Sequence, residues 1–252
     1  MSFGKVVIVG SGGRMGAMLL QCVESCGIAG CGIDQPLDDK ALGQCADADL
    51  ALLCVPASCI ADVVSRLAPV LPAEAVLADI ASVKVQPMKA MLAGWSGPVV
   101  GTHPLFGPTP ALKETAVAVV PGRGKQAASN VIELFTAFGF TPFRTTAHAH
   151  DKAMAVMQGL NFLSEAAFFG MVRASEKLKP FMTPSFKRRF RAARKLMLDD
   201  GELFTGLLGE NPYSAGVLRQ YRRALSSDSA EEVSGLLANA RTWGELIESE
   251  VR

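Results

Sequence analysis

The sequence predicts an α/β domain with a parallel sheet, followed by an all-α domain. Up to about residue 145, short apolar runs alternate with amphipathic stretches, as in sheets whose parallel strands are joined by helices. Apolar strands of this kind indicate a sheet that is covered on both faces. After Thr146 the strand patterns stop, and helical patterns continue to Arg252. We therefore expect a first domain over residues 1–146 and a helical domain over residues 147–252.

The individual elements follow from apolar periodicity and from turn residues. The predicted strands cover residues 5–9, 30–33, 50–55, 75–79, 98–101, 116–120 and 141–144. The helical patterns between these strands cover residues 15–25, 60–67 and 125–138. In the second half, the predicted helical stretches are 153–172, 185–198, 213–225 and 230–251.

The composition is that of a soluble globular protein. Of the 252 residues, 49% are hydrophobic and 19% are charged, and the formal net charge is +1. This balance argues against a nucleic-acid binder that relies on bulk charge. No apolar run reaches the ~18 residues that a membrane span needs. The first residues, MSFGKVVIVG, enter a strand pattern without the regions of a signal peptide. We expect a cytoplasmic protein that binds neither nucleic acid nor membranes.

The cysteines lie close together in the sequence. All six fall between Cys22 and Cys59, and none forms a CxxC pair. Partners at metal-ligand spacing are missing from the sequence around them. We therefore expect reduced, mostly buried thiols and no metal site.

A glycine-rich turn follows the first predicted strand. The segment VVIVGSGGRMG places four glycines there in a GxGGxxG pattern, one residue longer than GxGxxG. Glycines allow a tight strand-to-helix turn, and backbone N–H groups at the helix N-terminus can then approach a pyrophosphate. Because the turn follows the first strand and opens a helix, it predicts a Rossmann-type dinucleotide site. The predicted cofactor contacts on this turn are Gly10, Gly12, Gly13, Arg14, Met15 and Gly16.

Asp34 stands at the end of the second predicted strand. A carboxylate there can accept hydrogen bonds from the adenosine ribose, and it repels a 2′-phosphate. The nearest basic residue is Lys40, so the sequence favours NAD over NADP. The alternative is an ordinary strand-end turn, because IDQP is typical turn sequence.

The third predicted strand ends in Val55, Pro56 and, two residues later, Ser58. In a doubly wound sheet this end of the strand faces the cofactor crevice. The turn either packs against the dinucleotide or begins a helix with Ser58 as its N-cap. The two interpretations are equally supported.

Two further strand ends point to the same crevice. Ser82 lies in IASVK, where it is either a helix N-cap or a hydrogen-bonding group of an active centre. His103 lies in GTHPLFGPT, stiffened by Pro104 and by the Gly107-Pro108 turn. A histidine beside a nicotinamide site is a candidate general base.

The sequence resembles the prephenate dehydrogenases of tyrosine biosynthesis over nearly its whole length. The likeness rests on VIVGSGGRMG, ADADLALLCVP, LADIASVK, GPVVGTHPLFGP, HDKAMAVMQGL, TPSFKRR and DDGELFTGLL. It looks closest to the bacterial dehydrogenase domain that is otherwise fused to chorismate mutase.

The resemblance implies NAD-dependent oxidative decarboxylation of prephenate to 4-hydroxyphenylpyruvate. In that reaction hydride passes to NAD, a histidine accepts the hydroxyl proton, and the ring carboxylate leaves as carbon dioxide. His103 matches the family's base, and Ser82 matches the serine that orients it. The resemblance further implies a homodimer through the helical domain and a substrate cleft between the domains.

The segment KRRFRAARK, residues 187–195, holds six cations and no acid. It is either a solvated helix face or a surface that attracts a dianionic substrate. The family's carboxylate-binding arginine falls on Lys195 when counted back from Phe204, and on Arg194 after a slip of one residue. Lysine lacks the bidentate fork of arginine. Arg191 lies one helical turn from Lys195 and is a further candidate.

A second departure concerns the segment MQGLNFL, where the family usually has a histidine near Asn161-Phe162. Phe162 cannot donate a hydrogen bond, whereas Asn161 and Gln158 can contact substrate. The departures leave arogenate and 4-amino-4-deoxyprephenate open as substrates. The retained His103 favours the hydroxyl substrate, prephenate.

The stretch 153–172 is apolar nearly all round, which predicts burial on several sides, as a central helix or a dimer seam. Just before it, we expect Asp151 to be a helix N-terminal charge, and His148 and His150 to be surface or hinge residues.

Two other functions are compatible with the domain order. A β-hydroxyacid-type dehydrogenase would use a lysine base on the first interdomain helix, but Lys152 lies too early for that role. A catalytically silent nucleotide-binding module is the other alternative. The combination of Ser82, His103 and the glycine-rich turn favours an enzyme.

Overall fold

The computed structural model describes residues 3–111, 113–171, 175–226 and 229–251. The chain divides into two compact units. The first contains the residues up to Met154 together with Asp200–Pro212, and the second contains Ala155–Asp199 and the residues from Tyr213 onward. The first unit therefore includes segments beyond residue 146, and the predicted domain boundary at that residue stays a prediction.

The described residues of the first unit form a seven-stranded sheet with the order β2-β1-β3-β4-β5-β6-β7. The strands are β1 (Lys5–Val9), β2 (Ala29–Ile33), β3 (Leu50–Leu53), β4 (Val76–Asp79), β5 (Val99–Pro104), β6 (Ala116–Pro121) and β7 (Thr141–Arg144). All seven predicted strands are confirmed, although β3 ends two residues earlier and β5 ends three residues later than expected.

The predicted parallel sheet is confirmed except at one position, where β5 and β6 pair antiparallel. The other neighbouring strands pair parallel. A parallel crossover needs a long connection that usually contains a helix. The described residues between Pro104 and Ala116 contain no helix. The chain therefore returns beside β5 in the opposite direction.

Helices fill the remaining connections and the second half of the chain. Among the described residues they are α1 (Arg14–Ser25), α2 (Asp39–Gly43), α3 (Ile60–Leu67), α4 (Val85–Gly94), α5 (Ala127–Ala137), α6 (Ala147–Met154), α7 (Asn161–Met171), α8 (Pro184–Leu198), α9 (Gly201–Glu210), α10 (Ser214–Leu225) and α11 (Ala230–Val251). A π-helical segment, Ala155–Leu160, joins α6 to α7, and short 3-10 segments cover Ala57–Cys59 and Glu176–Phe181.

The sheet is buried on both faces, as its apolar strands predict. One core cluster packs α3 and α4 on one face and includes Leu53, Val64 and Met91. The other cluster packs α1 and α5 on the opposite face and includes Leu19 and Phe135. All four residues of β3 are buried, because its neighbouring side chains alternate between the two cores.

The glycine-rich turn requires glycine at Gly10 for two reasons. Its φ is +90°, a left-handed conformation that other residues rarely adopt. A Cβ on Gly10 would also lie 2.5 Å from the carbonyl oxygen of Cys54. The turn is thus pressed against the end of β3. Gly16 is needed too, because a Cβ there would collide with the carbonyl oxygen of Gly10.

We expect Gly10→Ala to lower the free energy of unfolding by about 1–3 kcal/mol, the usual cost of a strained backbone conformation. Gly43→Ala is the matched control, because a Cβ at Gly43 meets nothing within 4 Å and the residue ends a helix. Denaturant unfolding of both variants measures the difference. Equal stability of the two would contradict the strain argument.

The helical unit leaves much apolar surface exposed. In α7 only Phe162 is buried. Earlier in the stretch 153–172, Met154, Ala155 and Gly159 are also buried. The described residues of a single chain therefore do not form a central helix that is buried on several sides, and the dimer seam stays a prediction. The rings of Phe168 and Phe169 lie 5.0 Å apart, and Phe169 also contacts Phe190 of α8. On α11, exposed apolar side chains recur at helical spacing, at Val233, Leu236, Leu237, Trp243, Leu246 and Ile247.

The cysteines all lie within residues 3–111 and are free thiols. Cys45 is fully buried, the other five are half-buried and none is exposed, so complete burial holds for Cys45 alone. In the described part of the chain, no cluster of His, Cys, Asp or Glu has the arrangement of a metal site. None of the helices described here has both the length and the apolar character of a membrane span.

Candidate active site

The glycine-rich turn borders a cavity of about 340 Å³ in the first unit. Gly13 is the N-cap of α1, so the free N–H groups of that helix begin at this turn. A dinucleotide pyrophosphate fits such a helix N-terminus, and the glycines at positions 10, 12 and 13 leave room for it. Predicted cofactor contacts that line the cavity are Gly10, Gly13, Asp34, Val55 and Pro56.

Asp34 follows β2 and ties the strand end to the glycine-rich turn. Its Oδ2 accepts a 2.7 Å hydrogen bond from the backbone N–H of Gly12. Its Oδ1 accepts one of 2.8 Å from the backbone N–H of Gln35. Asp34 is exposed at the cavity rim. The carboxylate is thereby held in place where a ribose hydroxyl can donate to it.

Other predicted cofactor contacts lie around the cavity rather than in its lining. Arg14 is exposed, and one of its guanidinium nitrogens lies 3.5 Å from the carboxylate of Asp200. Met15 is half-buried and Gly16 is buried within α1. Ser58 is exposed in the 3-10 segment. The capping alternative for Ser58 is wrong, because Cys59 is the N-cap of α3 and makes no side-chain bond.

His103 lies within β5, opposite Ala118 of β6. The apolar pattern predicts that this strand ends at Gly101, because Pro104 and the following turn interrupt it. Antiparallel pairing with β6 continues the strand through Pro104. The imidazole is therefore fixed by a sheet and is buried, with 4% of the residue exposed.

A second histidine contacts His103. Nδ1 of His103 lies 2.9 Å from Nε2 of His150, and the two rings meet edge to face. Nδ1 of His150 lies 2.8 Å from Oδ1 of Asp151. The expectation that His150 is a surface or hinge residue is wrong, because α6 packs against the sheet unit and buries it. His148 is exposed on the same helix, as expected.

Asp151 caps a helix other than its own. Its Oδ1 accepts the backbone N–H of Lys84 at 2.7 Å, and its Oδ2 accepts that of Val85 at 2.8 Å. Both donors lie at the start of α4, so the carboxylate accepts hydrogen bonds from two backbone N–H groups that have no partner within the helix. Its negative charge also interacts favourably with the helix dipole. The expectation that Asp151 is the charge at its own helix N-terminus is wrong. Its backbone oxygen accepts from the side chain of Asn211 at 2.8 Å.

Lys84 and Asp79 form a buried ion pair beneath His103. Nζ of Lys84 lies 2.5 Å from Oδ2 of Asp79 and donates to the carbonyl oxygen of Thr102 at 2.6 Å. Neither side chain is exposed. Burial raises the pKa of Asp79 and lowers the pKa of Lys84, and each partner's charge opposes the shift of the other. Oδ1 of Asp79 has no hydrogen-bond partner among the described residues.

The pKa of His103 is lowered well below its usual value near 6.5, first by burial and then by His150 and Lys84. Burial acts in this direction because it disfavours the charged imidazolium. The imidazole is thus neutral at neutral pH, which is the state that a general base needs.

Ser82 is half-buried in the loop between β4 and α4. The alternative that it caps α4 is wrong, because Lys84 is the N-cap residue and the side chain that accepts the helix N–H groups belongs to Asp151. Its predicted role beside His103 stays a prediction.

The predicted substrate-binding residues all belong to the second unit. Arg191 lines a cavity of about 830 Å³ in that unit, together with Lys187 and several phenylalanines. Arg194 is exposed and lies 4.0 Å from Asp199. Lys195 is exposed on the same helix. Another cation of the segment, Arg189, has a structural role, since it pairs with Glu165 and stacks on Phe168.

The remaining residues of this group precede α8 in the chain. Gln158 is half-buried in the π-helical segment, and Asn161 is exposed at the start of α7. Phe162 of α7 is buried.

Sequence analysis missed four residues of the buried network: Asp79, Lys84, His150 and Asp151. One signal was present in the strand pattern. Asp79 directly follows the apolar run VLA, and an acid in a buried strand requires a partner. No local signal linked His150 to His103, because the two are 47 residues apart and meet only in the fold.

Comparison with known proteins identifies related enzymes. The family model of the prephenate dehydrogenase nucleotide-binding domain matches residues 24–139. The T-protein of Enterobacter agglomerans is 29% identical over 222 residues, which are 86% of this chain and 59% of that protein. The chain thus spans about three fifths of the length of this relative.

Solved structures share the fold over almost the whole chain. Synechocystis arogenate dehydrogenase has a TM-score of 0.74 and 22% identity, covering 97% of this chain and 95% of that one. Aquifex aeolicus prephenate dehydrogenase, solved with hydroxyphenyl propionate and NAD+, has a TM-score of 0.73 and 17% identity, covering 100% and 97%. The α/β nucleotide-binding domain followed by helices is therefore the fold of these dehydrogenases.

Proposed function

We propose that this chain catalyses the NAD-dependent oxidative decarboxylation of prephenate to 4-hydroxyphenylpyruvate, with His103 as general base. The observation that carries the proposal is the buried, neutral imidazole of His103 at the end of β5. The carboxyl ends of such strands are where doubly wound sheets bind ligands. The same unit holds the glycine-rich turn and the cavity that suit a dinucleotide.

Different residues would bind the cofactor, accept the proton and orient the substrate. Gly10, Gly13 and Asp34 would hold the dinucleotide, whose nicotinamide accepts the hydride when bound. His103 would accept the proton of the ring hydroxyl, and Ser82 would orient the hydroxyl and the base. Loss of both hydride and proton leaves a carbonyl at that ring carbon. Departure of the ring carboxylate as carbon dioxide then gives the aromatic phenolate, which takes the proton back from His103 to become the phenol.

A substrate with two carboxylates also needs cations. We propose that they come from α8, where Lys195 or Arg194 holds a carboxylate and Arg191 adds positive charge. Gln158 and Asn161 would supply neutral hydrogen bonds. If Lys195 takes the place of the family's arginine, it binds the carboxylate through a single ammonium group. It then lacks the two parallel hydrogen bonds that a guanidinium forms with a carboxylate.

The lowered pKa of His103 leads us to predict how kcat/KM depends on pH. A general base works only when it is unprotonated, and the kcat/KM profile reports the free enzyme. We expect kcat/KM to stay constant as the pH falls to 6.5, the usual histidine value, and to decline only below it. Tryptophan fluorescence over the same range controls for unfolding. An acid limb centred above the usual histidine value would contradict this.

The cofactor preference can be tested at Asp34. We expect Asp34→Asn to reduce the preference for NAD over NADP by about tenfold, a change of about 1.4 kcal/mol. The amide oxygen can still accept the Gly12 N–H, but the charge that repels a 2′-phosphate is gone. Asp62→Asn, at an exposed position of α3, is the matched control. Dissociation constants of both cofactors measure the effect, and an unchanged ratio would remove Asp34 from this role.

We further propose a homodimer formed through the helical unit. The apolar face of α11 supports it, because exposed apolar residues recur there at the spacing of a buried helix seam. Light scattering of the purified protein measures the mass, which for a dimer is twice that of the 26.6 kDa chain.

The proposed reaction is tested by incubating the protein with NAD and, separately, prephenate, arogenate or 4-amino-4-deoxyprephenate, while following NADH absorbance. We expect the highest kcat/KM with prephenate. A higher value with one of the other two would move the proposal to that substrate. The absence of NADH with all three would overturn it.

A further inference from the structure

A buried chain of hydrogen bonds continues behind His103. From its Nδ1 the chain runs to Nε2 of His150 at 2.9 Å, and from Nδ1 of His150 to Oδ1 of Asp151 at 2.8 Å. The three residues are at most 4% exposed. Nε2 of His103 makes no hydrogen bond with any described residue. It is therefore the nitrogen that remains for a substrate.

The direction of each bond follows from Asp151. Its two carboxylate oxygens already accept backbone N–H groups from Lys84 and Val85, so the carboxylate acts as an acceptor throughout. A neutral His150 must then donate its Nδ1–H to Asp151. Its Nε2 is left with a lone pair, which faces His103. This lone pair can only accept, so Nδ1 of His103 carries the proton of that contact.

We propose that His150 is a positioning residue for the general base, holding His103 as the Nδ1–H tautomer so that Nε2 presents its lone pair to the substrate hydroxyl. The inference rests on the proposed function and adds a residue to it. In the reaction the hydroxyl O–H bond breaks and an Nε2–H bond forms, which makes His103 an imidazolium. Its Nδ1–H continues to donate to His150. The hydride passes to the nicotinamide dinucleotide, and the ring carboxylate departs as carbon dioxide.

The charges around His103 and His150 favour the transfer of a proton to His103. Among the described residues, the buried acidic and basic groups around the two imidazoles are Asp79 of β4, Lys84 before α4 and Asp151 of α6. Lys152 of α6 is exposed. Lys84 and Asp79 offset each other in a contact of 2.5 Å, which leaves the carboxylate of Asp151 as the net charge. The buried network is thus negative by one charge before the proton arrives and neutral afterwards. Such compensation lowers the cost of forming a buried imidazolium.

The opposite arrangement would disable the base. If His150 donated from Nε2, its Nδ1 would direct a lone pair at a carboxylate, unless His150 itself were protonated. His103 would then accept at Nδ1 and carry its proton on Nε2, where the substrate hydroxyl needs an acceptor. The two tautomers therefore differ in function as well as in geometry, and which nitrogen carries the proton can be measured.

The direct test is imidazole ¹⁵N NMR of the histidine-labelled protein near neutral pH. The chain has only three histidines, so the spectrum is simple, and His148→Gln assigns the third ring and serves as the matched control. We expect His103 to be protonated at Nδ1 in the wild-type protein and in His148→Gln. His150→Leu should lose this tautomer. His150→Gln should retain it, because the amide oxygen can accept the same hydrogen bond.

Kinetics of the same variants give the second readout. We expect His150→Leu to lower kcat about 100-fold or more, since a wrong tautomer in a comparable histidine base costs up to about 10⁴-fold. His150→Gln should stay within about tenfold of the wild type, because a retained hydrogen bond is enough for positioning. KM and the dissociation constant of NAD should change little in either variant, which a general loss of structure would not allow.

Three results would overturn the inference: a wild-type His103 protonated at Nε2, a tautomer unchanged in His150→Leu, or an equal loss of kcat in the leucine and glutamine variants. The wild-type spectrum shows which nitrogen of His103 carries the proton, so it tests the inference even if the leucine variant does not fold. It is recorded without substrate, so a failure of the proposed reaction with every substrate would be seen separately, in the NADH assay.

Discussion

His103→Asn is expected to lower kcat with prephenate by about 100-fold or more, the usual contribution of a general base. The substitution removes the nitrogen that would take the hydroxyl proton. The asparagine amide can still donate to Nε2 of His150 from the position of the imidazole Nδ1, so the buried chain behind it keeps a partner. Steady-state kinetics at saturating NAD measure the loss.

The control for this variant is His148→Asn, an exposed position on α6 outside the buried network. Its kcat should stay close to that of the wild type. Because the base acts on the chemical step, the dissociation constant of NAD should be unchanged in both variants. A His103→Asn enzyme with wild-type turnover would remove His103 from the role of base.

Lys84→Met is expected to lower the free energy of unfolding by about 3–5 kcal/mol, the usual cost of breaking a buried ion pair. The variant leaves the carboxylate of Asp79 buried without its cation. It also removes the donor to the carbonyl oxygen of Thr102, which lies in the strand that carries His103. Denaturant unfolding followed by circular dichroism measures the change.

The double variant Asp79→Asn/Lys84→Met separates charge from packing. Removing both charges eliminates the unpaired carboxylate, and asparagine can still accept the backbone N–H of Ala81. We expect the double variant to be more stable than Lys84→Met alone, because replacing both members of a buried pair costs less than removing one. A double variant as unstable as the sum of its single variants would show that the pair does not interact.

The order of strands and helices along the first unit could be predicted because each element has its own pattern in the local sequence. Each strand is a short apolar run, and each helix carries its own periodicity, so the sequence located all seven strands. The end of β5 was missed because it depends on pairing with β6, a partner whose direction no local pattern reveals. His103 was found for a local reason as well, since it is a polar residue next to an apolar run.

The network around His103 was missed because it is assembled from distant segments. Asp79 ends β4 and Lys84 precedes α4, whereas His150 and Asp151 come from α6, about 70 residues further along. A histidine-aspartate pair at a helix start gives the same sequence pattern whether it is solvated or buried. The tertiary packing of α6 alone decides between the two.

The stoichiometry of carbon dioxide to NADH tests whether the chain couples hydride transfer to loss of the ring carboxylate. Prephenate labelled at the ring carboxylate would be incubated with the wild-type protein and NAD, and both products would be counted over the same interval. We expect equal molar amounts of carbon dioxide and NADH, with both falling together in His103→Asn. NADH formed without matching carbon dioxide, or neither product formed at all, would contradict the assignment.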